Sequence, residues 1–278
     1  MDVPLNQVFS PATFQELFSA WEKFPDAVPF AGGTELMRNQ GRRIPRLPRN
    51  ILYLDKLDEL KRITRTERYL EIGAMVPLND IIYLSKVVPD ALIRCLESIA
   101  GPQVRNLATI GGNLCYKHRR LNTFTLMVAL DALFELRAQY SARWISASRF
   151  ASLVDQWESH EIVSRIRIPL DQWDYSMYKK FSHQEIDDWD GSAVLILRSE
   201  KNILIDLRIV FAGRIILRDR NLESLLIGRS LPLTEKDAVS FINHWDVCLS
   251  GIREVSPLFR SGILSFIKSG ISALTDVW

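Results

Sequence analysis

Two glycine pairs far apart in the chain limit what it can fold into more than any other feature: Ala31-Gly32-Gly33-Thr34-Glu35-Leu36 and Ala108-Thr109-Ile110-Gly111-Gly112-Asn113-Leu114. Consecutive glycines carry no Cβ, so backbone at these points can approach a ligand closely and turn N–H donors toward an anion. A Thr hydroxyl and an Asn amide stand beside the glycines and add side-chain donors. Neither pair has the G-x-G-x-x-G spacing of a nucleotide-binding βαβ unit, so a cradle here must be of another kind. A pyrophosphate gripped between two loops would use both.

The flanks support a packed scaffold around these turns. Phe14 to Trp21 has the apolar spacing of a surface helix, Pro25-Asp26-Ala27 breaks it, and Val28-Pro29-Phe30 reads as a short strand entering the first glycine turn. Strands are expected at Asn50–Asp55 and Tyr69–Ala74, a helix opens at Pro77, and another runs from Asp90 to Ala100, stopped by Ala100-Gly101-Pro102. Gln103 to Leu107 then leads into the second turn.

With 278 residues and 47% apolar content, the chain can fill the cores of about two domains. Lys and Arg number 35 against 33 Asp and Glu, so no overall field attracts nucleic acid or an anionic membrane. Met1 to Asn6 has no export-signal character, and no stretch approaches the roughly 18 apolar residues of a span, which makes a cytoplasmic protein without membrane insertion the expectation. Cys95, Cys115 and Cys248 are too scattered for a disulfide framework or an iron–sulfur ligand set and are expected as packed thiols. Four histidines without H-x-x-H or C-x-x-C spacing argue against a metal site.

The run from Ile99 to Cys115, together with the first glycine turn and Leu70-Glu71-Ile72-Gly73-Ala74, resembles the FAD-binding subunit of the molybdenum hydroxylases, the group of xanthine dehydrogenase and carbon monoxide dehydrogenase. The similarity continues through Glu161–Pro169, Tyr178-Lys179-Lys180 and Leu258-Phe259-Arg260. It implies an α+β fold. A two-part FAD-binding domain of the PCMH or vanillyl-alcohol-oxidase kind would occupy residues 1–171, in subdomains of about 1–57 and 58–171. A smaller α+β domain, an antiparallel sheet with helices, would follow at 172–278.

The same resemblance implies FAD with its pyrophosphate between the turns. Its binding residues would be Ala31, Gly32, Gly33, Thr34, Glu35 and Leu36 in the first turn, Thr109, Ile110, Gly111, Gly112 and Asn113 in the second, and Lys180 near the flavin ring. Asn122 stands where the family carries an acid that holds a sugar or ribityl hydroxyl; an amide oxygen accepts that bond less strongly than a carboxylate. Further departures are the basic cluster Lys117-His118-Arg119-Arg120, Gln184 at a position basic in the family, and the acidic stretch Asp187 to Asp190.

No catalytic nucleophile and base pair stands out, and electron relay requires none. The resemblance implies a flavoprotein oxidoreductase subunit that passes electrons between a partner's iron–sulfur clusters and NAD or another acceptor, with the hydroxylation on a molybdopterin-binding partner subunit. The alternatives are a divergent member without FAD serving as a scaffold, and a free-standing flavin reductase. A docking face is expected in the C-terminal region, where Ser256 to Ile267 carries bulky apolar residues at helical spacing, a stripe that packing within its own domain explains more readily, since most helix stripes face their own core.

Overall fold

A computed structural model of the chain describes residues 7–40, 46–116, 122–153, 160–181, 191–213 and 215–276. In chain order the elements are β1 (Gln7–Phe9), α1 (Phe14–Lys23), β2 (Val28–Phe30), α2 (Thr34–Gln40), β3 (Asn50–Tyr53), β4 (Ile63–Arg65), β5 (Tyr69–Gly73), α3 (Leu78–Ile82) and α4 (Asp90–Glu97). They continue with α5 (Pro102–Arg105), α6 (Ile110–Leu114), α7 (Asn122–Ala129), β6 (Leu133–Arg137), β7 (Ala142–Ser146), α8 (Ala147–Leu153) and β8 (Ile162–Pro169). The last are β9 (Tyr175–Phe181), β10 (Gly191–Glu200), β11 (Ile203–Ala212), β12 (Ile216–Leu217), α9 (Arg220–Ser224), α10 (Glu235–Ser250) and α11 (Pro257–Asp276).

These elements form two compact units, each discontinuous in sequence. The first comprises Met1–Lys86, Ile99–His118 and Asp131–Leu170; the second comprises Val87–Ser98, Arg119–Leu130 and Asp171–Trp278.

In the first unit a parallel sheet of order β1-β3-β2 is covered by α1. Thr13 caps α1 by accepting from the Glu16 N–H, and the Glu16 carboxylate accepts from the Ala12 N–H, so the T-x-x-E spacing satisfies donors at the helix start reciprocally. Leu17, Phe18 and Trp21 then point one face of α1 onto Leu52, Leu54, Leu57 and Leu60. An antiparallel sheet of order β4-β5-β8-β6-β7 completes the unit. Its central strands bury Leu70, Ile72, Phe134, Leu136, Ile166 and Ile168, the alternation that one covered sheet face requires.

In the second unit an antiparallel sheet of order β12-β11-β10-β9 lies between two helical layers. Ala193, Leu195, Leu197, Ile209 and Phe211 face α10 and α11, meeting Phe241, Trp245, Ile263, Phe266 and Ile267. On the other side α4 packs against β9, and α7 against β10 and β11. Helix α7 is buried all round: residues Thr123 to Ala129 are all buried, as in a helix inside a core. Its C-terminal carbonyls are met by two arginines: Arg208 donates to the Ala129 oxygen at 2.8 Å and Arg218 to the Val128 oxygen at 3.2 Å. Glu223 holds Arg218 in turn, at 3.1 Å. Replacing Arg218 by Met is expected to lower stability by about 2 kcal/mol, because it leaves a buried carbonyl and the Glu223 carboxylate short of a charged donor; the urea midpoint measures this.

Several expectations are corrected. Helix α4 ends at Glu97, and Ala100 lies at φ +43°, so the helix stops before the glycine. Pro102 then starts α5 at its first position, where a missing N–H costs nothing, so the segment after the stop is itself helical. The apolar stripe of the tail is no free face: Ile263, Phe266 and Ile267 are core residues of their own unit, and Leu258 alone of the bulky residues quoted there stands well exposed. Among the described residues no helix is long and apolar enough to cross a membrane. Cys95, Cys115 and Cys248 are free thiols, and burial pushes Cys95 and Cys115 up to about 12, which keeps both protonated and unreactive at neutral pH.

Candidate functional site

The first glycine turn links the end of β2 to α2. Gly33 has φ +67°, which lets the chain reverse there at no cost to a side chain. A Cβ at Gly33 would also lie 2.5 Å from the Phe30 ring, so the position is closed to other residues twice over. The first bond of the helix runs from the Met37 N–H to the Gly33 carbonyl. Among the described residues, the N–H groups of Gly33, Thr34, Glu35 and Leu36 have no hydrogen-bond partner. Four donors at a helix start suit an anion. The Glu35 carboxylate does not oppose one, because Arg38 pairs with it at 2.9 Å.

The second pair is built differently from the open turn expected. Gly111 and Gly112 lie inside α6, whose N-cap Thr109 accepts from the Gly112 N–H at 3.1 Å. The other donors are also engaged: Ile110 donates to the Val76 carbonyl at 3.0 Å, Gly111 to Ala74 at 2.8 Å, and Asn113 to Thr109 at 3.0 Å. The backbone of this turn is therefore fixed from behind, and its polar side chains are Thr109 and Asn113. Its glycines serve proximity. A Cβ at Gly111 would lie 2.6 Å from that of Ala74 and 2.7 Å from the Ala74 oxygen, so only glycine lets α6 sit against the end of β5.

The two turns meet. A Cβ at Gly32 would fall 1.7 Å from the Leu107 carbonyl oxygen, and one at Gly112 would stand 3.8 Å from the Ala31 Cβ. Residues 31–36 and 109–113, separated in sequence by β3 to β5 and α3 to α5, thus lie against one another, and added side chains would force them apart.

Arg105, which sequence reading passed over, fixes the approach to this junction. Its guanidinium is buried and donates to the carbonyls of Ile99 at 3.0 Å and Ala100 at 2.7 Å, holding the turn that precedes α5. Asn106 beside it accepts from the Asn79 amide at 2.8 Å, tying the segment to α3. The available signal was an arginine and an asparagine set between Val104 and Leu107 soon after Gly-Pro.

The remaining two predicted residues lie in the second unit. Asn122 opens α7, and its carbonyl accepts from the Ser192 hydroxyl at 3.4 Å. Lys180 is exposed on β9 and pairs in the ladder with that same Ser192. Asn122 and Lys180 are thus neighbours through one β10 residue, a relation their spacing in sequence does not reveal. Lys117 to Arg120, Gln184 and Asp187 to Asp190 lie outside the described residues.

Comparison with known proteins bears on family and fold. Residues 4–171 match the family model described as the FAD binding domain in molybdopterin dehydrogenase. The carbon monoxide dehydrogenase medium chain of Hydrogenophaga pseudoflava is 28% identical over 198 residues, covering 68% of this chain and 67% of that protein. The xanthine dehydrogenase FAD-binding subunit of Escherichia coli is 32% identical over 143 residues, 50% of this chain and 48% of that one. Of the much longer aldehyde oxidase 2 of Cavia porcellus and xanthine dehydrogenase 2 of Arabidopsis thaliana, the match covers only 14% and 20%. In structure, carbon monoxide dehydrogenase from Hydrogenophaga pseudoflava superposes with a TM-score of 0.81 at 22% identity, over 99% of this chain and 98% of that chain, which establishes the mixed helix-and-sheet fold.

Proposed function

This chain belongs to the family of FAD-binding domains of molybdopterin dehydrogenases, and on that basis we propose that it is the electron-transfer subunit of a multi-subunit molybdenum hydroxylase. FAD is its cofactor, and its chemistry is that of an oxidoreductase subunit. The observation that carries the site is the meeting of the two glycine turns, with Gly32 against Leu107 and Gly112 beside Ala31.

In this reading the N–H groups of Gly33 to Leu36 hold the pyrophosphate, and the Thr109 hydroxyl and Asn113 amide close on it from the second turn. Ala31, Ile110 and Gly111 shape the walls, and Gly32 and Gly112 keep them close. FAD held there supplies two-electron exchange with an acceptor and one-electron exchange with iron–sulfur clusters. Fixed main-chain donors suit that task, since they orient a charged cofactor without reorganising. Lys180 supplies positive charge near the ring and favours the anionic reduced flavin. Asn122 accepts a cofactor hydroxyl in place of a carboxylate.

The partners follow from the relatives' own names: a medium chain and an FAD-binding subunit each imply companion chains. We assign an iron–sulfur subunit and a molybdopterin-binding subunit to this role, NAD or another external acceptor to the far end of the relay, and the cytoplasm as its setting. Co-expression with such subunits, followed by size exclusion and anaerobic reduction, tests the reading. A stable heteromer whose flavin is reduced through the clusters is expected; a chain that elutes alone and receives no electrons contradicts it.

Asn122→Asp is expected to tighten FAD by about 1 kcal/mol, roughly fivefold, since a charged acceptor replaces a neutral one. Fluorescence titration of apoprotein with FAD measures the change.

A further inference from the structure

In the second unit a string of hydroxyl groups crosses a layer that is otherwise apolar. The Thr125 and Ser192 hydroxyls are hydrogen-bonded to each other, and both residues are buried. Ser192 also donates to the Asn122 carbonyl at 3.4 Å and stands diagonally across the β9–β10 ladder from Tyr178, because Ser192 is opposite Lys180 and Val194 is opposite Tyr178. The Tyr178 phenol bonds the Ser98 hydroxyl at 3.4 Å, just past the end of α4. Around the string stand Leu126, Met127, Val194 and Ile196, all buried. Apolar side chains of the same size would fill this layer at least as well, because each buried hydroxyl must recover the hydrogen bonds it gives up to water. What a polar string adds is a fixed register between the elements it joins.

Those elements are the ones that carry Asn122 and Lys180. Asn122 begins α7, one turn before Thr125. Lys180 is the ladder partner of Ser192 and lies two residues beyond Tyr178, so Tyr178 and Lys180 share one face of β9. Among the described residues β9 is an edge strand, paired with β10 alone, and its Tyr178 face packs on α4.

We propose that Ser192 and Tyr178 are positioning residues for the flavin: Ser192, bonded to Thr125 and Asn122, and Tyr178, bonded to Ser98 and diagonal to Ser192 across the ladder, set Asn122 and Lys180 in one frame, and so tune both FAD affinity and flavin potential. This rests on the flavin role given above to Lys180 and Asn122. Burial holds the Tyr178 hydroxyl far above the usual phenol range, with the neighbouring Cys95 adding to the effect, so the phenol stays a hydrogen-bonding group and takes no part in charge.

The test is a double-mutant cycle on the full-length chain with FAD. Tyr178→Phe and Ser192→Ala each remove one hydroxyl and leave the apolar packing in place; Lys180→Met removes the charge. Far-ultraviolet circular dichroism and thermal unfolding report the fold. FAD titration and the flavin midpoint potential report the site. Either hydroxyl variant is expected to raise the FAD dissociation constant about tenfold, the scale at which outer supporting groups act on a bound cofactor or metal, and to lower the potential. In the Lys180→Met background neither variant should move the potential further. Wild-type affinity and potential in both hydroxyl variants, while Lys180→Met alone moves them, would overturn the inference and leave the role of Lys180 standing. A potential shift that is equally large in the Lys180→Met background would overturn it as well. A Lys180→Met protein with wild-type values would remove the flavin role of Lys180 itself, and the inference with it.

Discussion

Gly32→Ala is expected to purify without flavin and to unfold at a clearly lower temperature. The added methyl would stand 1.7 Å from the Leu107 carbonyl oxygen, a backbone atom fixed by the turns on either side of it. Relief requires the two glycine turns to separate. Forcing one extra carbon into closed packing costs about 1–3 kcal/mol, and here the displacement opens the junction that the cofactor needs. A thermal melt and the ratio of visible to ultraviolet absorbance together check the prediction. Gly101, by contrast, would place a Cβ 3.0 Å from the flexible end of Gln103, so Gly101→Ala should leave flavin content near wild type.

The second large effect is expected on the antiparallel sheet of the first unit. Glu135 is buried, accepts from Arg165 at 2.6 Å and is also bonded by the Ser164 hydroxyl. Burial by itself would raise its pKa, but the bonds from Arg165 and Ser164 and the charges of Arg165 and Arg137 outweigh burial and hold it below 4.5. Arg165 also pairs with Glu71 at 3.1 Å and lies over the Trp144 ring. Arg165→Met should therefore destabilise by about 2 kcal/mol at pH 7, as one buried carboxylate loses its strongest donor. Because the folded pKa of Glu135 lies below the unfolded one, this stabilisation is complete above pH 4.5 and lost as pH falls through the lowered value. Wild type and variant should converge in acid. Glu223 runs the other way: burial raises it despite Arg218 and the Ile209 N–H, so its contribution is complete below 4.5 and declines as pH rises through the folded value. Both proteins keep Glu223, so its contribution cancels in the difference between their urea midpoints from pH 7 to pH 3, which reports the pairing of Arg165 with its carboxylates.

The local signals in the sequence were legible because they report on nearest neighbours along the chain. Phe14 to Trp21 announces a helix, Val28 to Phe30 an extended run, and Gly33 a reversal, and each is found where its chemistry places it. Gly111 and Gly112 misled for a physical reason. Glycine in a helix costs about 1 kcal/mol against alanine, so a pair of them reads as an open turn, yet close packing on Ala74 demands glycine inside α6. Hydrophobic spacing shows that a face is buried and not what buries it. Helices α4 and α7, which lie in the first half of the chain, were therefore not assignable by pattern to the sheet that residues 175–217 build. The tail stripe from Ile263 to Ile267 was open to two readings for the same cause. Long-range partners such as Arg208 with Ala129 and Ser192 with Asn122 leave no periodic trace at all.

The measurement that bears most directly on the cradle is the FAD content of the purified full-length chain compared with Gly112→Val. Unlike Gly32, Gly112 has no backbone carbonyl pressed against it: a Cβ there meets the Thr109 hydroxyl at 3.0 Å and looks toward Ala31 at 3.8 Å, so the branched side chain enters the space between the turns. Absorbance in the visible and ultraviolet gives the FAD-to-protein ratio, and circular dichroism gives the fold. The account predicts one FAD per wild-type chain, and a Gly112→Val protein with native secondary structure and little or no flavin. Equal flavin content in the two proteins would contradict it.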